Sequence, residues 1–268
     1  MTQKNSEQNS SRDPVPLNYR VLGEQGEWVM LLHGLFGSGD NLGALAKALM
    51  ADFRVVQVDL RNHGRSPHNE LMTFETMAAD IALLQDTLDI SSSHVVGHSL
   101  GGRVTMQLAL SQPSRVQSVV VADIAPVAYA PHHVTILKAL KMSNLENIAN
   151  RNDVDAQLAS LIPDMSTRQF LLKSLYKEGD HWRWRFNLPV LEASYPNITQ
   201  AQQGEAFSKP ALFIKGGASD YILPKYEDAM RALFPHFELK TIAGTGHWLH
   251  GEKPAEFNAL VKDFLIDV

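Results

Sequence analysis

Short runs of valine, isoleucine and leucine alternate with stretches of helical periodicity, and that alternation restricts the fold more than any other feature of the chain. The runs are EWVMLLHG (27–34), FRVVQVDL (53–60), SHVVGHS (93–99), VQSVVVAD (116–123), PALFIKG (210–216) and FELKTIAG (237–244). Between them lie helical patterns. NLGALAKALM carries Leu42, Leu45, Ala46 and Leu49 on one face, and Thr73 to about Asp89 carries Met77, Ile81, Leu84 and Leu88. LGGRVTMQLALSQ is stopped by Pro113, KYEDAMRALF precedes the last strand, and PAEFNALVKDFLI starts on Pro254. Near-continuous aliphatic strands separated by helices imply a parallel sheet with both faces covered. An earlier strand, LNYRVLG (17–23), reaches EWVMLLHG with no helix between them, so that edge is expected to be antiparallel.

The rhythm breaks over residues 124–208. HHVTILKALKM, DVDAQLASLI and STRQFLLKSLY are helical, without β/α alternation, and the stretch is too long for a simple connection. It is expected to be a helical cap inserted in a core made of residues 14–123 and 209–268. Residues 1–13 are polar, without an apolar core, and are expected to form a disordered tail rather than a signal peptide or anchor. No apolar run approaches the ~20 residues of a membrane span.

Composition narrows the chemistry. There is no cysteine among the 268 residues, which excludes a disulfide scaffold, a thiolate metal site and a cysteine nucleophile, and is compatible with a cytoplasmic address. The net charge is −5 and no basic stripe is present, so no nucleic-acid partner is expected. Nothing in the sequence bears on oligomeric state.

GHSLG at Gly97, Ser99 and Gly101 is a G-x-S-x-G motif set between a predicted strand and a predicted helix. In that context it marks a sharp turn that exposes the serine hydroxyl at the end of the strand. LLHGLFGSGDN, after the earlier strand, fails as a dinucleotide fingerprint because position 42 is leucine where a third glycine is needed. It fits an oxyanion loop instead, with the N–H of Leu35 (or Phe36) acting beside that of Leu100. His33 reads as a hydrogen-bonding residue that shapes this loop.

A serine nucleophile needs a histidine and an acid downstream. His247, in GTGHWLHGEKP after the last strand, has the placement, and His250 is a weaker rival. Two aspartates end strands and could orient it: Asp123 in VVVADIAP and Asp220 in KGGASDYI. Spacing alone does not choose between them. Asp59 also ends a strand and is expected to hold Arg61 or Arg65.

GHSLGGRV, HGLFGSGDNLG, DLRNHGRSP and GTGHWLHGEKP resemble the α/β-hydrolase superfamily, and DIAPVAY, WRWRFNLPVL and GHWLHGEKP with them resemble its YbfF-type esterases. The resemblance spans about residues 15–267. It implies a mostly parallel eight-stranded sheet covered by helices, a helical cap, and hydrolysis of short- to medium-chain carboxylic esters or acyl-CoA thioesters, with no cofactor and no metal. It carries Ser99 as nucleophile and His247 as base. The resembling esterases read G-G-N-S where this chain has Gly216-Gly217-Ala218-Ser219, which implies that Asp123, not Asp220, is the acid.

HWRWRFN alternates Trp182, Trp184 and Phe186 with polar residues, as an extended segment does. Trp182, Trp184 and Trp248 are candidates for a substrate pocket, although packing inside the cap explains the first two equally well. The same scaffold also hosts C–C hydrolases, perhydrolases and receptors that retain a triad, so fold does not fix the reaction.

Overall fold

The computed structural model describes residues 13–268; the expected tail, but for Asp13, lies outside the described residues. The chain runs β1 (Tyr19–Leu22), β2 (Trp28–Leu32), α1 (Gly43–Leu49), β3 (Arg54–Val58), α2 (Phe74–Thr87), β4 (Ser93–His98), α3 (Leu100–Ser111) and β5 (Val116–Ala122). It resumes the same rhythm with β8 (Ala211–Gly216), α8 (Glu227–Leu233), β9 (Phe237–Ile242), α9 (Leu249–Glu252) and α10 (Pro254–Asp267). Between β5 and β8 lie α4 (Val134–Met142), α5 (Arg151–Ala159), α6 (Met165–Leu172), β6 (Leu175–Glu178), β7 (His181–Trp184) and α7 (Leu188–Ser194).

The main sheet has seven strands in the order β1-β3-β2-β4-β5-β8-β9. Eight were expected. The sequence supplies seven runs, and the remaining extended residues, β6 and β7, pair antiparallel only with each other. The antiparallel edge is present, but β1 pairs with β3 rather than with its neighbour in sequence, setting Tyr19 opposite Val58. Every other pair in this sheet is parallel.

Alternation along β2 shows why both faces are apolar. Val29 and Leu31 pack with Leu42, just before α1, with Leu45 and Leu49 of α1 and with Phe257, Val261 and Leu265 of α10. Met30 and Leu32 point the other way, into a cluster with Met77 and Ile81 of α2 and Val104 and Leu108 of α3. Thr73 caps α2, its hydroxyl oxygen accepting from the Thr76 N–H. Under the sheet's edge, Arg61 and Asp80 form a fully buried double hydrogen bond at 2.6 Å. Asp59 therefore does not hold Arg61. It accepts instead from the backbone N–H groups of Gly39 and Arg65 and from the Asn18 amide.

Strand order reverses around β2, which lies between β3 and β4. In an open α/β sheet that switch point leaves a crevice outside the carboxyl ends of the strands. His33 and Leu35 follow β2, Ser99 follows β4 and Asp123 follows β5, so all of them come to this rim. The 124–208 segment packs against it: Ser174 Oγ–H donates to the Phe36 carbonyl and the Asn187 N–H to the Asn62 carbonyl.

Candidate active site

Ser99 sits at φ 52°, ψ −113°, a region that L-residues avoid. The neighbouring glycines make the turn possible. A Cβ on Gly97 would lie 2.2 Å from the Gly101 carbonyl oxygen, and one on Gly101 would lie 2.1 Å from that of Leu32. Helix α3 starts immediately afterwards, and its first N–H groups have no acceptor within the helix.

A relay of hydrogen bonds runs from Ser99 into the sheet. The Ser99 hydroxyl donates to His247 Nε2 at 3.0 Å, and His247 Nδ1–H donates to Asp123 Oδ2 at 2.7 Å. A carboxylate only accepts, so its contact with Nδ1 fixes the proton there and leaves Nε2 as the acceptor that faces the serine. Asp123 is fully buried. Its other oxygen accepts from the Gly216 N–H at 2.9 Å, and Ser219 Oγ–H donates to the same Oδ2 that holds the histidine. Three donors thus compensate a carboxylate taken out of water. Asp220 is exposed and makes no hydrogen bond to His247, although it lies beside it in a shallow surface cleft.

The loop that follows β2 is held by two histidines, and its contacts favour one tautomer of each. His33 Nδ1–H donates to the Gly34 carbonyl while Nε2 accepts from the Leu60 N–H. His63 Nδ1–H donates to the Arg61 carbonyl while Nε2 accepts from the Phe36 N–H at 3.2 Å. Burial lowers the pKa of both rings, that of His63 to about 3, so both stay neutral acceptors. The Phe36 N–H is therefore committed. The Leu35 N–H has no hydrogen-bond partner among the described residues and stands with that of Leu100 beside Ser99.

The region around His247 is densely aromatic. Tyr221 stacks on its ring at 4.1 Å between centroids, and His98 lies 4.8 Å away. His98 Nε2–H donates to the His247 carbonyl at 2.8 Å, which pins the loop carrying His247 to the serine turn. His250 packs on His98 and Phe257, and the Ser99 hydroxyl bonds to His247 and not to it.

Two tight cavities, of about 40 and 50 Å³, open on Ser99. One runs along Leu100, Ile124, Tyr129, Tyr195 and Ile198 to Arg103. Burial lowers the Arg103 pKa to about 10, which leaves it charged at neutral pH, and its guanidinium donates to the carbonyls of Val127 and Gln200. The other cavity runs along Phe36, Ile136, Phe170, Leu171 and Trp248. Of the three candidate pocket tryptophans only Trp248 lines a cavity at Ser99. Trp184 stacks on Phe186 at 5.3 Å and Trp182 receives the Arg151 guanidinium, so both serve packing within residues 124–208. Tyr195, Tyr221, His133 and Arg103 line the cavities too, and nothing in their spacing distinguishes them in the sequence. Among the described residues no group of three or more His, Asp or Glu is placed to hold a metal ion, and no helix is long and apolar enough to cross a membrane.

Known proteins are similar to this chain in sequence and fold. The alpha/beta hydrolase fold family model matches residues 27–254. Esterase YbfF of Escherichia coli (strain K12) is 39% identical, over 89% of this chain and 93% of that one. The sn-1-specific diacylglycerol lipase ABHD11 of Mus musculus is 38% identical, over 98% of this chain and 90% of that one. The solved structure of a marine microorganism esterase superposes with a TM-score of 0.91 at 37% identity, over 93% of this chain and 99% of that one. The chain belongs to the alpha/beta hydrolase fold family, among its YbfF-type esterases.

Proposed function

We propose that this carboxylic ester hydrolase works as a serine esterase on short- to medium-chain esters, with Ser99 as nucleophile, His247 as base and Asp123 as the orienting acid. The single observation that carries this is the continuous relay Asp123–His247–Ser99 at 2.7 and 3.0 Å. His247 takes the Ser99 proton as the oxygen attacks the ester carbonyl, and Asp123 stabilises the imidazolium. The N–H groups of Leu35 and Leu100 face the charge that develops on the carbonyl oxygen. His247 then returns the proton to the leaving alcohol, and water releases the acyl group by the same route. Nothing in this sequence of steps calls on a metal or an organic cofactor.

The segment 124–208 acts as a cap that closes the crevice over Ser99. The small cavities favour a short acyl chain. The relatives' names, esterase and diacylglycerol lipase, agree with ester substrates. An acyl-CoA thioester would give the same acyl-enzyme, so butyryl-CoA belongs in the assay beside p-nitrophenyl butyrate. Ser99→Ala should abolish turnover of both while the far-UV circular dichroism is kept. Retained turnover in that variant would overturn the assignment.

A further inference from the structure

The two cavities at Ser99 share three lining residues: Leu35, Ser99 and His133. The first two belong to the core and to the chemistry already described. His133 comes from the inserted segment, at the residue preceding α4, and stands where the two cavities meet. Its ring is held at fixed distances, 5.8 Å from Tyr195 and 6.0 Å from Phe36 between centroids, both edge-to-face.

The hydrogen bonds of His133 favour one position for its proton. Its backbone N–H donates to the Tyr195 hydroxyl oxygen at 3.0 Å, and its Nδ1 lies 2.8 Å from the same oxygen. The Tyr195 hydroxyl oxygen already accepts from the backbone, and its one proton is placed to go to Nδ1. Burial keeps the ring neutral, with its pKa lowered to about 4. A neutral imidazole that accepts at Nδ1 carries its proton on Nε2. Nε2 has no partner among the described residues and is not among their buried unpaired atoms, and the residue lines both cavities. In that tautomer a neutral N–H donor belongs to a residue that borders, with Ser99, both cavities in which an ester on Ser99 would lie.

We propose that His133 Nε2–H is a third donor to the reacting ester, supplied by the cap, which completes the oxyanion site when the cap covers Ser99. The proposal rests on Ser99 being the nucleophile. It also gives the cap a chemical role beyond shielding, since without this segment the core keeps only the two backbone donors. A donor that is neutral adds no charge to desolvate in the resting enzyme and strengthens its bond as negative charge develops on the carbonyl oxygen.

The test compares His133→Phe with His133→Gln, whose side-chain N–H reaches roughly as far as Nε2. The substrate is p-nitrophenyl butyrate, and a trifluoromethyl ketone serves as the tetrahedral mimic on Ser99. His133→Phe should lower kcat about 10²-fold with little change in KM, and weaken the ketone by a similar factor. His133→Gln should restore most of both. Unchanged kcat and ketone affinity in His133→Phe, or equal losses in two folded variants, would overturn the proposal. Wild-type ¹⁵N NMR keeps the question answerable if the phenylalanine variant does not fold. It should show His133 protonated at Nε2, with that signal shifting when the ketone binds; an Nδ1–H tautomer or an unmoved signal overturns the idea equally. Ser99→Ala separates the two levels: activity surviving there sinks the nucleophile assignment, whereas activity lost there and kept in His133→Phe sinks only the role of His133.

Discussion

Asp123→Asn is the substitution whose consequence the geometry defines most sharply. The carboxylate meets donors only: the Gly216 N–H, the Ser219 hydroxyl and His247 Nδ1–H. An asparagine has one oxygen for them. If that oxygen keeps the Gly216 N–H, the amide NH₂ faces His247, and the imidazole must turn into the tautomer protonated on Nε2. That nitrogen then cannot accept the Ser99 proton. Loss of the orienting acid costs about 10⁴ in kcat where it has been measured in serine hydrolases, or about 5.4 kcal/mol of barrier at 1.36 kcal/mol per decade. Asp220→Asn is the control. That carboxylate is exposed and unbonded to His247, so its variant should stay within about threefold of the parent, in keeping with a screened surface charge. The assay is kcat/KM on p-nitrophenyl butyrate for both variants, with circular dichroism to confirm folding. A collapse in Asp220→Asn with near-normal activity in Asp123→Asn would refute the reasoning from the relay.

Three further outcomes follow from individual contacts. Ser219→Ala removes a donor from the oxygen that holds His247 and should lower kcat/KM about tenfold with KM little changed, a hydrogen bond to a charged group contributing about 1.5–3 kcal/mol; full activity would make that hydroxyl a bystander. Gly101→Ala forces a Cβ to within 2.1 Å of the Leu32 carbonyl oxygen and should lower the unfolding free energy by at least about 1–3 kcal/mol in urea titrations, while a stability equal to the parent's would mean that the turn has slack. Burial holds His63 at a pKa of about 3 and His133 and His250 at about 4, against 6.5 when unfolded. Above pH 6.5 both states are neutral and these rings leave stability independent of pH. As the pH falls from 6.5 towards 4 the unfolded chain binds protons that the native state refuses, so each ring takes away up to about 1.4 kcal/mol per pH unit. Tm should therefore fall over that window, and His63→Gln should show a shallower slope; equal slopes would mean that His63 is not held neutral.

Much of the core was legible because it depends on local rules. The βα rhythm gave each strand of the main sheet, and Gly-x-Ser-x-Gly in a strand-to-helix context marked the serine turn. What escaped was set by pairing at long range. Nothing in LNYRVLG tells that β1 will lie on β3 instead of β2, and the hairpin of β6 and β7 was only half visible, as an extended HWRWRFN. The expectation of eight strands came from the family resemblance, not from the runs themselves. Asp59 and Asp80 show the same limit: both are acidic residues near Arg61, and only the packing of α2 under the sheet decides which one receives it. The aspartate bonded to His247 is a more instructive case. Asp123 and Asp220 both end strands, and the choice depends on side-chain direction, with φ 51° at Asp123 turning its carboxylate into the sheet's rim while Asp220 faces solvent. Tyr195, His133 and Arg103 act through contacts more than sixty or ninety positions away in sequence, to Tyr195 from His133 and to Gln200 from Arg103, and periodicity has nothing to say about those.

Rapid mixing with p-nitrophenyl butyrate, acid quench and intact-protein mass spectrometry addresses the covalent step itself. The relay predicts that the parent gains one butyryl group at early times, located on the peptide containing Ser99, with a matching burst of p-nitrophenol wherever deacylation is the slower step. It predicts no such adduct in Ser99→Ala. An adduct on another residue, or turnover in the parent by a route that persists without Ser99, would contradict the acyl-enzyme on which the account stands.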